Sequence, residues 1–175
     1  MGIVLARAAA LYDKSVGENG KPEKRSAIQT QSYGPSARGG HSKCDVKISD
    51  KEMLYPFVEI PDYLVVMSQQ AYAKYITERK PDTKIIIDPD LVIDRPKGDV
   101  YMVPATKTAE GLGTRIVANV VMLGAFREIS RIVSYESLEK ALLEVLPAPT
   151  HDLNKAALGT GGKLGAQVIE TRSKS

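Results

Sequence analysis

The sequence predicts an α/β fold, a doubly wound and mostly parallel sheet with flanking helices. Two continuous apolar runs of strand length carry this prediction, Tyr63-Leu-Val-Val-Met67 and Lys84-Ile-Ile-Ile-Asp88, since such runs mark strands covered on both faces. Between them Ser68 is placed to cap a helix in which Ala71, Tyr72, Tyr75 and Ile76 recur at helical spacing. The result is a β-α-β unit, expected to be right-handed with parallel strands. The alternation of strand and helix signals over the rest of the chain extends the same pattern.

Taken in order, Ile3, Val4, Leu5, Ala8, Ala9, Leu11 and Tyr12 recur on a broad face, so Gly2 to Tyr12 reads as a mostly buried helix. It has no N-cap residue and no strand before it, although so apolar a helix normally packs on a sheet; the fold is therefore expected to lack its first strand. Asp13 to Ser26 is polar and rich in Gly, Lys and Glu, which predicts an exposed loop. Ile28 to Ser32 is a short strand candidate. Cys44, Val46 and Ile48 alternate with Lys43, Asp45 and Lys47, the period of a strand with one wet face, and place Cys44 on its inward side. Pro56 and Pro61 bracket a connection. After the β-α-β unit, Val100 to Val103 is a strand and Thr106 to Leu112 a short helix. Ile116 to Ile129 is a long helix burying Val117, Val120, Val121, Gly124 and Ala125. Ser134 is placed to cap a helix from Tyr135 to Leu146 with a Leu138, Leu142, Val145, Leu146 stripe, which Pro147 stops. Thr150 is placed to cap a last helix through Leu158, with Asp152 near its positive end and Gly159-Thr-Gly-Gly162 as terminator. The expected organisation is one domain over residues 1–162 and a frayed polar tail over 163–175.

Composition narrows the functions available. A chain of 175 residues with 43% apolar and 26% charged residues can build a core. A net charge of +3 with no basic stripe gives no sign of a nucleic-acid partner, and no apolar stretch approaches the roughly 20 residues of a membrane span. No signal peptide is read in Met1 to Arg7, so a cytoplasmic location is expected. One cysteine, Cys44, excludes an internal disulfide and cannot supply the thiolates of an iron–sulfur cluster. Nor do His41 and His151 belong to a metal-ligand spacing, so no metal site is expected. Neither a nucleophile elbow nor a phosphate-binding P-loop is present, and no catalytic residue is assigned.

What stands out is Gln29-Thr-Gln-Ser-Tyr33-Gly34-Pro35-Ser36-Ala37-Arg38-Gly39-Gly40, a Gly-rich loop between two strands. Its glycines allow close backbone approach to a ligand, and Arg38 can clamp a phosphate or carboxylate through two hydrogen bonds. On composition alone Gly-Pro and Gly-Gly are equally ordinary turn punctuation, and both readings stand.

This run, continued by Val46-Lys-Ile-Ser-Asp50, resembles the gamma subunit of 2-oxoglutarate (2-oxoacid):ferredoxin oxidoreductases. Further blocks occur in the family's order: Gly98-Asp-Val-Tyr101, Val103-Pro-Ala-Thr106, Val117-Ala-Asn119, Met122-Leu-Gly-Ala125 and Ser137-Leu-Glu-Lys-Ala-Leu142. The resemblance implies a Rossmann-like subunit of a multi-subunit enzyme that converts a 2-oxo acid and coenzyme A to acyl-coenzyme A, carbon dioxide and reduced ferredoxin. It implies thiamine diphosphate, magnesium and iron–sulfur clusters in sister subunits, none bound by this chain alone, with coenzyme A as co-substrate. The implied partners are alpha and beta subunits, with a delta subunit as a further candidate, and ferredoxin reached through the complex; a homodimer is a candidate state of the isolated chain. Tyr33, Gly34, Arg38, Gly39 and Gly40 become the candidate coenzyme A or active-site loop at a subunit interface. Asn119 is either an interface hydrogen-bonding group or a core asparagine. Three features depart from the family: its usual opening strand and Gly-rich turn are represented only by Gly2, Ser36 stands where glutamate is general, and Gly17 to Ser26 looks inserted. A free-standing Rossmann-type nucleotide-binding protein and a purely structural adaptor are the competing readings.

Overall fold

The computed structural model describes residues 1–16, 22–33, 42–94 and 99–174. In chain order its elements are helix α1 (Gly2–Arg7) running on as a π-helical turn (Ala8–Tyr12), β1 (Lys14–Val16), β2 (Pro22–Lys24), β3 (Ser26–Tyr33), β4 (Ser42–Ser49) and β5 (Tyr63–Val66). There follow α2 (Gln69–Tyr75), β6 (Lys84–Ile87), β7 (Val100–Met102), α3 (Ala105–Gly111), a 3-10 turn (Arg115–Val117), α4 (Ala118–Ser130), α5 (Tyr135–Val145) and α6 (His151–Ser173). Two compact units divide the chain: Met1–Val58 with Val133–Ala148, and Glu59–Ile132 with Pro149–Ser175.

In the first unit β3 and β4 form an antiparallel hairpin in register from Ser26↔Ser49 to Tyr33↔Ser42. Helix α1 lies against this hairpin so closely that a Cβ on Gly2 would collide with Cys44 Sγ and sit 3.2 Å from Val46 Cγ2. Val4, Leu5, Ala8 and Ala9 are buried, as are Leu138, Ala141 and Leu142 of α5, which packs along α1 and its π turn. Asp13 closes the unit. Its carboxylate accepts hydrogen bonds from Ser134 N at 3.2 Å and Ser137 Oγ at 3.4 Å and pairs with Arg25 at 3.1 Å. Ser134 caps α5 as expected, accepting from Ser137 N at 3.1 Å. Two expectations fail here. The region from Asp13 to Ser26 is not simply loop, because β1 and β2 pair antiparallel, Lys14↔Lys24 to Val16↔Pro22. Cys44 is exposed rather than inward-facing filler, and the residue of α1 that lies against it, Gly2, has no side chain to cover it.

The second unit holds the parallel sheet, in the order β5-β6-β7. Leu64, Val66, Ile85, Ile87 and Val100 share one face and pack with Tyr72 and Ala71 of α2. On the other face Tyr63 meets the Phe126 ring of α4 edge-on at 5.5 Å, and Tyr101 lies 4.3 Å from the Arg172 guanidinium of α6. Ser68 caps α2, accepting from Ala71 N at 3.2 Å. Ile85, Ile86 and Ile87 of β6 are fully buried, but Val65 in β5 is 40% exposed, so β5 departs from the expectation of a strand covered on both faces: it is an edge strand with β6 on one side only.

The sharpest departure is α6. The expected terminator Gly159-Thr-Gly-Gly162 and the polar tail from Lys163 both lie inside one helix that continues to Ser173. Thr150 makes no side-chain cap; Asn154 Nδ2 instead donates to its carbonyl at 2.8 Å. The glycines serve a helix crossing. Asn154, Leu158, Gly161 and Gly165 form the buried stripe of α6 against α4. A Cβ on Gly161 would land on the Val121 carbonyl, one on Gly124 on the Leu158 carbonyl, and one on Gly165 2.8 Å from Ala125 O. The backbones touch, and only glycine permits that approach.

Candidate functional site

The sequence-predicted loop begins where β3 ends. Tyr33 is the last residue of β3, paired with Ser42 at the start of β4, so residues 34–41 join the two strands of this hairpin. Gly34, Ser36, Arg38, Gly39, Gly40 and His41 lie outside the described residues. The hairpin that carries the loop is polar on the strand positions nearest to it. Gln31 and Ser32 are exposed, Lys43 pairs with Asp45 at 3.3 Å, and Gln29 Nε2 donates to Cys44 Sγ at 3.2 Å. Behind it α1 is tied to α5: the Tyr12 hydroxyl and the Arg7 guanidinium both donate to Glu144, and Lys140 lies 4.5 Å over the Tyr12 ring. The hydrogen bonds from Tyr12 and Arg7 hold the Glu144 carboxyl below its usual value, and the same bond to Glu144 pushes the Tyr12 phenol up.

A second polar centre, missed by the sequence reading, sits at the carboxyl end of the parallel sheet in the other unit. Asp88 follows β6 and is fully buried. Its Oδ2 accepts from Thr106 N at 2.8 Å and Thr106 Oγ1 at 2.6 Å, and its Oδ1 from Asp90 N at 3.1 Å. One carboxylate thus fixes both the turn after β6 and the first turn of α3. Beside it a cleft of about 380 Å³ is lined by Asp90, Leu91, Thr106, Lys107, Glu110 and Arg115. An acidic residue directly after a buried strand was the available signal, because the carboxyl ends of parallel strands are where open α/β sheets place their sites. Asn119 is exposed in the first turn of α4, which excludes the core reading of that residue.

Among the described residues no group of three or more His, Cys, Asp or Glu is arranged to hold a metal ion. No helix among them is long and apolar enough to cross a membrane.

Residues 15–164 match the sequence model of the pyruvate ferredoxin/flavodoxin oxidoreductase family, and the chain belongs to that family. The relatives narrow it further. The chain is 45% identical over 172 residues to the 2-oxoglutarate synthase subunit KorC of Methanocaldococcus jannaschii, covering 95% of this chain and 87% of that one. It matches the structure of the keto/oxoacid ferredoxin oxidoreductase gamma subunit of Geobacter sulfurreducens with a TM-score of 0.76 and 35% identity, over 95% of this chain and 89% of that one. It is also 30% identical to the ketoisovalerate oxidoreductase subunit VorA of Methanothermobacter thermautotrophicus, where 97% of this chain covers only 34% of a longer polypeptide. The gamma-subunit resemblance drawn from the Gln29 to Gly40 run and the later blocks is therefore borne out.

Proposed function

We propose that this chain is the gamma subunit of a cytoplasmic complex that oxidatively decarboxylates 2-oxoglutarate with coenzyme A, giving succinyl-coenzyme A, carbon dioxide and reduced ferredoxin. The observation that carries this reading is the near-full-length identity of 45% to a 2-oxoglutarate synthase subunit, against 30% to the ketoisovalerate relative. The chemistry divides among subunits. Cys44 is the only cysteine in the sequence, so the thiolates for iron–sulfur clusters come from elsewhere, and we assign thiamine diphosphate and magnesium to the alpha and beta subunits as well. When bound there, thiamine diphosphate supplies the carbanion stabilisation that decarboxylation of a 2-oxo acid requires.

This chain's own contribution is to shape the cleft in which the acyl group meets coenzyme A. Tyr33 ends the first of two paired eight-residue strands that pack under α1, and Gly34, Arg38, Gly39 and Gly40 follow it in the sequence before the second strand begins at Ser42. Arg38 offers a bidentate cation for a phosphate or carboxylate, and the glycines allow backbone N–H groups to approach it. The Rossmann-like character of the second unit is supported by its parallel β5-β6-β7 order with helices meeting both faces.

The test is the reconstituted complex with Arg38→Ala, assayed for 2-oxoglutarate-dependent, coenzyme A-dependent dye reduction. A single charge-assisted contact of about 1.5–3 kcal/mol predicts a rise of about ten- to a hundredfold in the coenzyme A KM or an equal loss of kcat/KM. Unchanged kinetics with full assembly would remove Arg38 from the site and leave an adaptor role.

A further inference from the structure

We infer that the last turn of α6 guards the free edge of the parallel sheet: the Arg172 guanidinium occupies a backbone acceptor of β7 on which a strand of a second copy of this chain would otherwise pair. The inference is independent of the gamma-subunit reading, which stands whether or not the guard does.

β7 has β6 on one side, and the other side is a sheet edge. The hydrogen bonds on the paired side fix which backbone groups face outward. Ile85 N–H donates to Asp99 O at 2.9 Å and Val103 N–H to Ile87 O at 2.9 Å, with Tyr101 between them in register with Ile86. Asp99 O, Tyr101 and Val103 N therefore turn toward β6. Val100 and Met102 alternate with them, so their N–H and C=O groups turn away from the sheet. Among the described residues no backbone hydrogen bond reaches these outward groups.

α6 comes to this edge without burying a residue there. Its buried positions end at Gly165, and in the turns beyond it Thr171 Oγ1, Ser173 Oγ and Lys174 Nζ bond back to Gln167, Ile169 and Glu170 of the same helix. Arg172 reaches out instead. Its guanidinium donates to Val100 O, an outward carbonyl of β7, and to the Asp99 carboxylate, and it lies 4.3 Å from the centre of the Tyr101 ring. A lone surface ion pair holds a long side chain weakly, but a carboxylate, a carbonyl and a ring face on three successive residues define one position for this cation. An incoming strand has to pull the guanidinium off Val100 O and leave its charge against the new pairing, which is how a charged side chain closes a sheet edge.

The species excluded is set by the edge itself. Val100 and Met102 of one β7 can pair with Met102 and Val100 of another, antiparallel about a two-fold axis, because two outward residues separated by one are complementary to themselves. Met102 is 49% exposed, so this pairing also covers apolar surface.

The experiment is sedimentation equilibrium of the purified full chain as wild type, Arg172→Ala and Arg172→Ala/Met102→Lys, from about 2 to 200 µM. Arg172 lies exposed in the final turn, so its loss should lower Tm by no more than about 2–4 °C. We expect the mass of Arg172→Ala to rise with concentration toward about twice the wild-type value, and the added Met102→Lys charge to return it to the wild-type value. Amide exchange at the highest concentration should slow at Val100 and Met102 by about tenfold or more in Arg172→Ala relative to wild type. A chain ending at Thr171 gives the same comparison if the point variant folds poorly. Wild-type mass for Arg172→Ala at every concentration, association that Met102→Lys does not reverse, or new protection along the β5 edge at Tyr63 and Val65 instead of β7, overturns the inference.

Discussion

Adjacent glycines in α6 should respond to the same substitution with opposite signs. In an isolated helix, glycine to alanine stabilises by about 1 kcal/mol, since alanine loses less backbone entropy on folding. At Gly162 nothing lies within 4 Å of an added Cβ, so Gly162→Ala should realise most of that gain. At Gly161 the added carbon falls on the Val121 carbonyl oxygen, with the carbonyl carbon at 2.8 Å and Cα at 3.0 Å. All three are backbone atoms of α4, which no rotamer change can move aside. Bringing the carbonyl carbon out to an ordinary contact near 3.4 Å means separating two helices whose Val121, Ala125 and Leu158 are fully buried. Overpacking of this kind costs about 1–3 kcal/mol, occasionally more, and with backbone on both sides the upper end applies. After the propensity gain, Gly161→Ala should destabilise by about 2 kcal/mol, a fall of roughly 4–8 °C in Tm for a chain of this size. Gly162→Ala should raise Tm by about 2–4 °C. The assay is thermal unfolding of the purified chain, followed by circular dichroism. If Gly161→Ala melts at or above wild type, the glycines are not there for the crossing and the account of α6 is wrong.

Two further outcomes follow from the hydrogen-bond networks. Asp88→Ala leaves the Thr106 N–H and hydroxyl and the Asp90 N–H without their buried acceptor; it should cost about 2–4 kcal/mol and raise amide exchange in α3 before the β3–β4 hairpin, and uniform exchange would argue against its local role. Glu144 has a carboxyl lowered in the folded chain, so its contribution is present above its ordinary pKa of 4.5 and is lost as pH falls below that toward the lowered value. Glu144→Gln should therefore flatten the acid limb of the Tm–pH curve and leave its neutral limb parallel to wild type; an unchanged acid limb would show that Tyr12 and Arg7 do not hold it.

The sequence made elements of both units legible where local signals and tertiary packing agree. Ser68 and Ser134 cap the helices they precede, the Lys84 to Ile87 run is a buried parallel strand, and Val120, Val121, Gly124 and Ala125 face inward on α4. It misled where one residue type serves two purposes. Glycine at 159 to 162 reads as a helix stop from local preference, and only the position of α4 shows that it is a contact surface. Likewise the alternation through Cys44 gave the correct strand, but which side of a two-stranded hairpin is covered depends on α1, a helix from elsewhere in the chain. The candidate loop was found because several separated blocks recur in a family's order, not because its composition required a ligand. Asp88 was overlooked for a related reason: a single acid after a strand is common, and what sets it apart is Thr106, eighteen positions away.

The first unit is assembled from two separated stretches of sequence, with Asp13 bonded to Ser134 across the whole of the second unit's central segment. As the chain leaves the ribosome, Val4, Leu5, Ala8 and Ala9 therefore wait for α5 while about 125 residues are added, about 6–25 s at ordinary synthesis rates. The part of the apolar face of α1 that α5 covers is open throughout that interval. The lifetime of the nascent amino-terminal segment, rather than the stability of the finished fold, then sets how much of this subunit is lost to aggregation, and mutations that loosen α1 on the β3–β4 hairpin should reduce yield well before they reduce activity.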